Sequence, residues 1–176
     1  MRAQKNMIKK LTVGVALTSA ALLAGPSSHP RTLEQEVRHE ILMVPYIGVF
    51  DNPSWSVDNG VVTLSGEVTQ PVEKYNLEKA VKGVEGVTRV ENNIEVLPLS
   101  PFDDQIRVRT LRTLLRTASL GKYFQGVQPD IRIIVKNGHV TLDGMVLNSA
   151  DRQFAFMAAN HVSGVFSVTN NLRAEK

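Results

Sequence analysis

The sequence contains an internal repeat, and this repeat restricts the possible folds more than any other feature. Residues 59–95 align without a gap with residues 137–173, at a spacing of 78 residues, and 14 of the 37 aligned pairs are identical. Similarity of residue type continues upstream at the same spacing, where Val37 pairs with Leu115. A fixed spacing of this kind indicates two copies of one structural unit, and we expect each copy to contain about 70 residues.

The second copy shows the order of its elements most clearly. Ile131, Ile133 and Val135 alternate with Arg132 and Lys136, which predicts a half-buried strand. Asn137 and Gly138 follow, and this pair favours a type I′ hairpin turn because both residues tolerate positive φ. After the returning strand, Asn148 has the side chain of a helix N-cap. The helix that follows is predicted to bury the residues that recur at helical spacing, which are Phe154, Met157, Ala158 and His161.

A further helix precedes the hairpin, so each copy is predicted to have the order α-β-β-α-β. This helix is expected over residues 103–120 in the second copy and over residues 32–44 in the first. The predicted fold class is α+β: two small αββαβ domains, each a three-stranded mixed sheet covered on one face by two helices. The two domains are predicted over residues 31–98 and 102–174, with a short, proline-containing linker between them. Trp55 is expected to lie in the first core.

The N-terminus has the pattern of a secretory signal peptide. The first ten residues carry four basic and no acidic side chains, and residues 11–24 form an apolar run of 14 residues. This run is shorter than the roughly 20 residues that a membrane-spanning helix needs. We expect residues 1–28 to be cleaved on export to an oxidising compartment. The alternative is an uncleaved N-terminal anchor.

Composition excludes several classes of protein and corrects the apparent charge. The full chain has 20 Lys and Arg against 17 Asp and Glu, but removal of residues 1–28 takes away four basic residues and leaves a net charge near −1. The chain has no cysteine, which excludes disulfides, thiolate zinc sites, a cysteine nucleophile and a lipid attached to an N-terminal cysteine. The fold must therefore be stabilised by apolar burial without cross-links.

The combined motifs of the two copies resemble a known family. The first copy reads NGVVTLSGEV and then VEGVTRVENNIEV, and the second reads NGHVTLDGMV and then VSGVFSVTNNLRA. This spacing of NG, LxG, GV and NN is similar to that of the BON domain, named for bacterial osmotically induced and nodulation proteins. The resemblance implies a tandem BON protein in the periplasm of a Gram-negative envelope. It also implies membership of a family associated with phospholipid binding and with envelope integrity under osmotic or other stress.

Patterns that would indicate catalysis or metal binding are weak. The four histidines lie far apart in the sequence, and there is no G-x-S-x-G motif and no glycine-rich phosphate loop. His161 is expected to be a structural residue of the core. We therefore expect no enzymatic activity, no cofactor and no bound metal. An enzyme remains a third possibility, which would require a bound metal or cofactor.

The two copies differ in the sign of their charge. Residues 31–98 hold 6 basic and 11 acidic residues, whereas residues 99–176 hold 10 basic and 6 acidic residues. The basic excess is concentrated in the first helix of the second copy, where Arg109, Arg112 and Arg116 fall within an arc of about 60° at 3.6 residues per turn. We call these three residues the arginine stripe. The neighbouring arc, which is expected to pack on the sheet, consists of Val108, Leu111, Leu114, Leu115 and Ala118.

The arginine stripe is the candidate binding site. Arginines donate charge-assisted hydrogen bonds to phosphate groups, and each basic residue near an anionic membrane contributes about 1 kcal/mol of attraction. The stripe has two structural interpretations, a solvated helix face and a docking face for the acidic first copy. The predicted lipid-binding residues are Arg109, Arg112, Arg116 and Lys122, with shallow apolar contacts from Ile106 and Leu120.

The predicted function is non-enzymatic binding to an anionic phospholipid surface, in support of envelope integrity under stress. Nucleic acid would also suit an arginine stripe electrostatically, but export to the envelope argues against it. The alternative function is that of a periplasmic protein-binding scaffold or a chaperone-like stress protein, in which other envelope proteins are the partners.

Overall fold

The computed structural model describes residues 31–126 and 128–175. The predicted signal peptide, residues 1–28, lies outside the described residues and stays a prediction. Within the described part of the chain, the order α-β-β-α-β occurs twice. The predicted α+β fold with an internal repeat is confirmed.

The first copy forms a hairpin, a crossover helix and a parallel last strand. Its last strand is interrupted at Asn93 and Ile94, so that two short strands pair with the same neighbour. The elements are α1 (Leu33–Met43), β1 (Asn52–Asp58), β2 (Val61–Val68), α2 (Pro71–Lys82), β3 (Arg89–Asn92) and β4 (Glu95–Val96).

The second copy has the same order and a continuous last strand. Its first helix ends four residues before the predicted end at residue 120, and a short 3-10 helix over Gly121–Phe124 follows. The elements are α3 (Pro101–Arg116), β5 (Ile131–Lys136), β6 (His139–Val146), α4 (Ser149–Asn160) and β7 (Ser167–Ala174).

The two sheets share one topology. In each, the second strand of the hairpin lies in the middle, antiparallel to the strand before it and parallel to the last strand. The hairpin turns have positive φ at both central residues, 48° and 81° at Asn59 and Gly60, and 52° and 78° at Asn137 and Gly138. The predicted type I′ turns are therefore present in both copies.

Each copy has its own apolar core between helices and sheet. Trp55 packs against the first core, as predicted. The first core contains Val37, Ile41, Val44, Ile47, Val62, Leu64, Val68, Leu77, Val81, Val84 and Ile94. The second contains Ile106, Leu114, Leu120, Tyr123, Ile131, Ile133, Val135, Val140, Leu142, Val146, Ala155, Ala159 and Leu172.

Helix α4 presents a different face to the core from the one predicted. The buried residues are Ala155 and Ala159, whereas Phe154 and Met157 are more than a third exposed. Alanines on the inner side allow the helix backbone to lie close to the sheet, which leaves no room there for the larger side chains. The apolar residues of α4 span a wider arc than the core covers. Helical spacing therefore did not show which of these residues are buried.

The first helices of the two copies do not follow the 78-residue spacing. Leu33 lies 3.5 Å from the position that a Cβ on Gly86 would take, and Ile106 lies 3.6 Å from the corresponding position on Gly164. Gly86 and Gly164 are equivalent in the repeat. Phe102 also contacts the Gly164 position, at 3.3 Å, but the helix C-caps Val44 and Thr117 are 73 residues apart, which makes Ile106 the equivalent of Leu33.

The chain after each first helix confirms this shorter spacing. Tyr46 and Ser119, also 73 residues apart, have positive φ of 73° and 74°, two residues beyond the respective helix C-caps. The expected pairing of Val37 with Leu115 is wrong. The reason is that the segment between α3 and β5 is longer than the segment between α1 and β1.

The two copies contact each other along the open edge of β5. The Ile133 N–H donates to the Val49 carbonyl at 2.8 Å, and Arg132 donates to the Gly48 carbonyl. Val49 and Phe50 also pack against the second core. A loop of the first copy thus satisfies part of an edge strand of the second, which would otherwise be open to pairing with another chain.

A buried carboxyl pair lies behind this contact. Asp51 accepts from the Gly48 N–H at 2.8 Å and from the Thr69 N–H at 2.7 Å, and so holds the turn that reaches β5. Glu73, in the first turn of α2, accepts from the Gln70 N–H at 2.9 Å. Burial, and then the charge of Asp51, raise the pKa of Glu73 to about 7.

Candidate functional site

Helix α3, which carries the arginine stripe, is held on the sheet by buried polar contacts. The Asp103 carboxylate accepts from the N–H groups of Asn137 at 2.9 Å and Gly138 at 2.8 Å, at the turn between β5 and β6. One turn further along, Arg107 is buried and donates to the Val135 carbonyl at 2.8 Å. Both side chains therefore lie on the inner side of the helix, although they are charged.

These contacts rotate α3 away from the orientation that hydrophobicity predicts. Ile106, Thr110 and Leu114 are buried, and they lie on the same side of the helix as the two buried charged residues. Val108 and Leu115, which were expected to pack on the sheet, are 39% and 47% exposed. The prediction for these two residues is wrong because Asp103 and Arg107 occupy inner positions of α3, which a face defined by hydrophobicity assigns to apolar side chains.

The arginine stripe lies on the exposed surface, as predicted. Arg109 donates to Gln105 Oε1 at 3.0 Å and to the Ser163 carbonyl at 3.3 Å. Arg112 and Arg116 form no hydrogen bond or ion pair with any residue that the structure describes. Two of the three guanidinium groups are therefore free to bind an external anion.

Lys122 is engaged inside the second copy. Its Nζ forms an ion pair with Asp151 at 3.0 Å. Asp151 also accepts from Ser119 Oγ at 2.5 Å and from the Tyr123 hydroxyl at 2.6 Å, and these hydrogen bonds, with Lys122, lower the pKa of Asp151 to about 2. Lys122 is therefore a member of a structural network in which Asp151 neutralises much of its charge, although its side chain is 41% exposed, so its role in lipid binding stays a prediction.

The apolar contacts predicted at Ile106 and Leu120 are wrong. Both side chains are fully buried in the second core, so neither reaches a membrane surface. Ile106 faces the sheet because of the rotation of α3. Leu120 lies beyond the end of α3, whose C-cap Thr117 is already extended, so the helical geometry used for the prediction does not apply to it.

An apolar flank adjoins the arginine stripe, formed by residues that were expected to pack on the sheet. Leu111 and Leu115 line a groove of about 300 Å³ together with Val49 and Phe124. Val108 is exposed on the same side of the helix. The available signal was the width of the apolar arc of α3, which exceeds what one sheet face can cover.

The described residues hold no cluster of three or more His, Asp or Glu side chains that is arranged to bind a metal ion. His39, His139 and His161 are exposed, so the prediction that His161 belongs to the core is wrong. It lies at the C-terminal end of α4 and shares a hydrogen bond with the Met157 carbonyl at 2.6 Å. In the same part of the chain, no helix has both the length and the apolar character needed to cross a membrane.

Comparisons with known proteins place the chain in a family. Two solved structures from Chlamydia trachomatis are similar to it at 13% sequence identity. One is CdsD, a structural protein of the type III secretion system, with a TM-score of 0.29 over 82% of this chain and 93% of that chain. The other is the C-terminal domain of CdsD, with a TM-score of 0.28 over 80% of this chain and 96% of that chain. No curated protein matches the chain. The model of the BON domain matches residues 31–98 and 103–176, which include both copies. BON domains are generally non-enzymatic, while the absence of activity in this protein stays a prediction. The chain belongs to the BON domain family.

Proposed function

We propose that this protein binds anionic phospholipid at the periplasmic face of the bacterial envelope, through helix α3, and so supports envelope integrity under osmotic or other stress. Binding is reversible and requires no catalysis, cofactor or metal. The observation that carries the proposal is the arginine stripe: three exposed guanidinium groups on one side of a helix that buried contacts hold rigidly. Phosphate groups accept paired hydrogen bonds from guanidinium, which suits this arrangement.

The fold does not require these arginines. Helix α1 occupies the place of α3 in the first copy, and its exposed or half-buried charged residues are mainly acidic, with Glu34, Glu36 and Glu40 against Arg38. The same helix-on-sheet packing is thus built with the opposite charge. The stripe is therefore available for a role outside the fold.

The expected strength of binding follows from the number of exposed charges in the arginine stripe. At about 1 kcal/mol for each basic residue near an anionic surface, the three arginines supply about 3 kcal/mol. A difference of this size changes a binding constant by roughly 100-fold. Salt screens exposed charges over about 10 Å at 0.1 M, so binding should weaken steeply as ionic strength rises.

The test is sedimentation of the full chain with vesicles of phosphatidylcholine that do or do not contain phosphatidylglycerol. The test variant is Arg112→Glu/Arg116→Glu, because these two exposed side chains form no hydrogen bond or ion pair with any described residue. The control is Arg38→Glu/Lys79→Glu, which changes the net charge equally at exposed positions of the first copy. We expect the test variant to lose binding to phosphatidylglycerol vesicles and the control to keep it.

Any of three results would refute the proposal. One is equal binding of the wild type and the Arg112→Glu/Arg116→Glu variant. Another is binding of the wild type that does not depend on phosphatidylglycerol. The third is equal loss of binding in both variants, which would show that only the total charge matters and would remove α3 as the site.

The scaffold function keeps support from one observation. The copies of opposite charge do dock on each other, and Lys136 pairs with Glu95 across that contact. The docking uses β5 and leaves the arginine stripe exposed. An acidic protein partner at the stripe would be indicated by association with another protein that high salt abolishes, in the absence of any binding to phosphatidylglycerol vesicles.

A further inference from the structure

Two phenylalanines form an exposed pair at the N-terminal end of α3. Phe102 is 46% exposed and Phe166 is 71% exposed, and their ring centroids lie 6.2 Å apart. The ring of His139 lies 6.0 Å from that of Phe166. Single exposed apolar residues are common on protein surfaces, but adjacent exposed aromatic rings indicate a contact surface.

The backbone around the pair is shaped to hold it. A Cβ on Gly138 would lie 2.6 Å from the ring of Phe166, and a Cβ on Gly164 would lie 3.3 Å from the ring of Phe102. The Phe166 N–H donates to the Gly138 carbonyl at 2.9 Å. Asp103, the neighbour of Phe102, binds the same hairpin turn. The two rings are therefore presented by rigid elements at a defined separation.

The fold does not need an aromatic residue at this place. In the first copy, Thr88 is the equivalent of Phe166, and its N–H donates to the Gly60 carbonyl at 2.8 Å in the same way. The Thr88 hydroxyl adds a hydrogen bond to that carbonyl at 3.1 Å. A small polar residue thus satisfies this position, and the exposed ring of the second copy calls for another explanation.

The aromatic pair is continuous with the arginine stripe. Phe102 precedes Arg109 by seven residues, two helical turns, so both lie on one side of α3. Arg109 also donates to the carbonyl of Ser163, in the loop that leads to Phe166. An anion-binding row that ends in two exposed apolar rings matches a surface with phosphate groups above hydrocarbon, which is a phospholipid monolayer.

We propose that Phe102 and Phe166 insert into the acyl region of the membrane and make the N-terminal end of α3 its deepest point, an inference that rests on the proposed function. The arginines then bind the phosphate layer along the rest of the helix. The aromatic pair thereby fixes the orientation of the second domain on the membrane, which charge alone leaves free to rotate. It also supplies the part of the affinity that salt does not screen.

The first test is the Phe166→Thr variant, which copies the residue that the first copy uses at this position. We expect about tenfold weaker binding to phosphatidylglycerol vesicles, because removing a ring from the interface costs about as much as a partly buried apolar side chain contributes. The salt dependence should stay that of the wild type, since the arginines are unchanged. The matched control is Tyr75→Thr, which removes a 64% exposed aromatic ring from α2 of the first copy and should leave binding unchanged.

The second test locates the residue in the bilayer. Trp55 is the only tryptophan of the chain, so a Trp55→Phe background allows a single reporter at Phe166→Trp, with Tyr75→Trp as the control reporter. Quenching groups attached to the lipid acyl chains should quench the reporter at position 166 and leave the reporter at position 75 unaffected. An unfolded variant is recognised by its circular dichroism before binding is measured.

The outcomes separate this proposal from the proposed function. If the wild type binds and depends on the arginine stripe, but position 166 is not quenched and Phe166→Thr binds as tightly as the wild type, then the insertion is refuted and the lipid function stands. If the wild type does not bind phosphatidylglycerol vesicles, both are refuted.

Discussion

The contact of Asp103 with the hairpin turn allows the sharpest prediction about what holds the arginine-bearing helix in place. Its carboxylate is fully buried and accepts one hydrogen bond from Asn137 and one from Gly138. A hydrogen bond to a charged group contributes about 1.5–3 kcal/mol, and a buried donor left without a partner carries a further desolvation cost. We therefore expect Asp103→Ala to lower the free energy of unfolding by about 3–5 kcal/mol, a large part of the 5–15 kcal/mol typical of a folded protein.

The assay is urea unfolding followed by circular dichroism, combined with amide hydrogen exchange. Asp58→Ala is the control, because Asp58 is an exposed acid beside the equivalent turn of the first copy and should change stability by less than about 0.5 kcal/mol. In the Asp103→Ala variant the N–H groups of Asn137 and Gly138 should exchange faster, while the first-copy turn is unchanged. A loss of less than about 1 kcal/mol, or unchanged exchange at Gly138, would refute the claim that this carboxylate holds α3 on the sheet.

The remaining predictions concern pH and backbone conformation. The pKa of Glu73 is raised to about 7 in the folded protein, so the unfolded chain releases this proton at lower pH. The free energy of unfolding should therefore fall as pH rises from about 4.5 to about 7, by on the order of 1–3 kcal/mol. The Glu73→Gln variant should not show this fall, and a pH profile equal to that of the wild type would contradict the prediction. The pKa of Asp151 is lowered to about 2, so the ionised carboxylate stabilises the fold above about pH 4, and this contribution is lost as pH falls toward 2. In thermal unfolding, the Asp151→Asn variant should lack this loss of stability in acid. The Gly144→Ala variant should be destabilised by more than about 3 kcal/mol, because φ is 127° and a Cβ would lie 1.9 Å from the Asp130 carbonyl oxygen. The control Gly83→Ala, at a φ of −80°, should cost less than about 1 kcal/mol. Equal urea midpoints for the two variants would contradict this prediction.

The duplication, the hairpins and the α+β order were predictable because each depends on local signals. The Asn-Gly turns require positive φ, and both adopt it. Ile131, Ile133 and Val135 lie in the core, as period-two spacing predicts, although Ile134 on the opposite face of β5 is buried as well. These features follow from chemistry within a few residues along the chain.

The rotation of the helices was not predictable in the same way. Asp103 and Arg107 are charged, so their residue type gives no indication that they lie on the inner side of the helix. They lie inside because their partners, Gly138 and Val135, are about 30 residues away and become neighbours only on folding. Because these contacts set the rotation of α3 about its axis, Ile106 is buried and Leu115 is exposed.

Glu73 and Asp151 show the limit of the repeat itself. They occupy equivalent positions, 78 residues apart, and both are buried acids at the start of a helix. The pKa of Glu73 is raised because burial and Asp51 disfavour its charge, and the pKa of Asp151 is lowered because Ser119, Tyr123 and Lys122 bond to it. Those three partners come from the longer segment after α3, which has no counterpart of equal length in the first copy.

Spacing and residue type alone were enough to establish two copies of one α+β unit, with an acidic first copy and a basic second one, because such properties do not depend on distant contacts. Which cations remain free, and which apolar side chains accompany them, was decided by folding. Arg112 and Arg116 point outward while Arg107 is buried, because hydrogen bonds to a hairpin far along the chain set the rotation of the helix that carries all three.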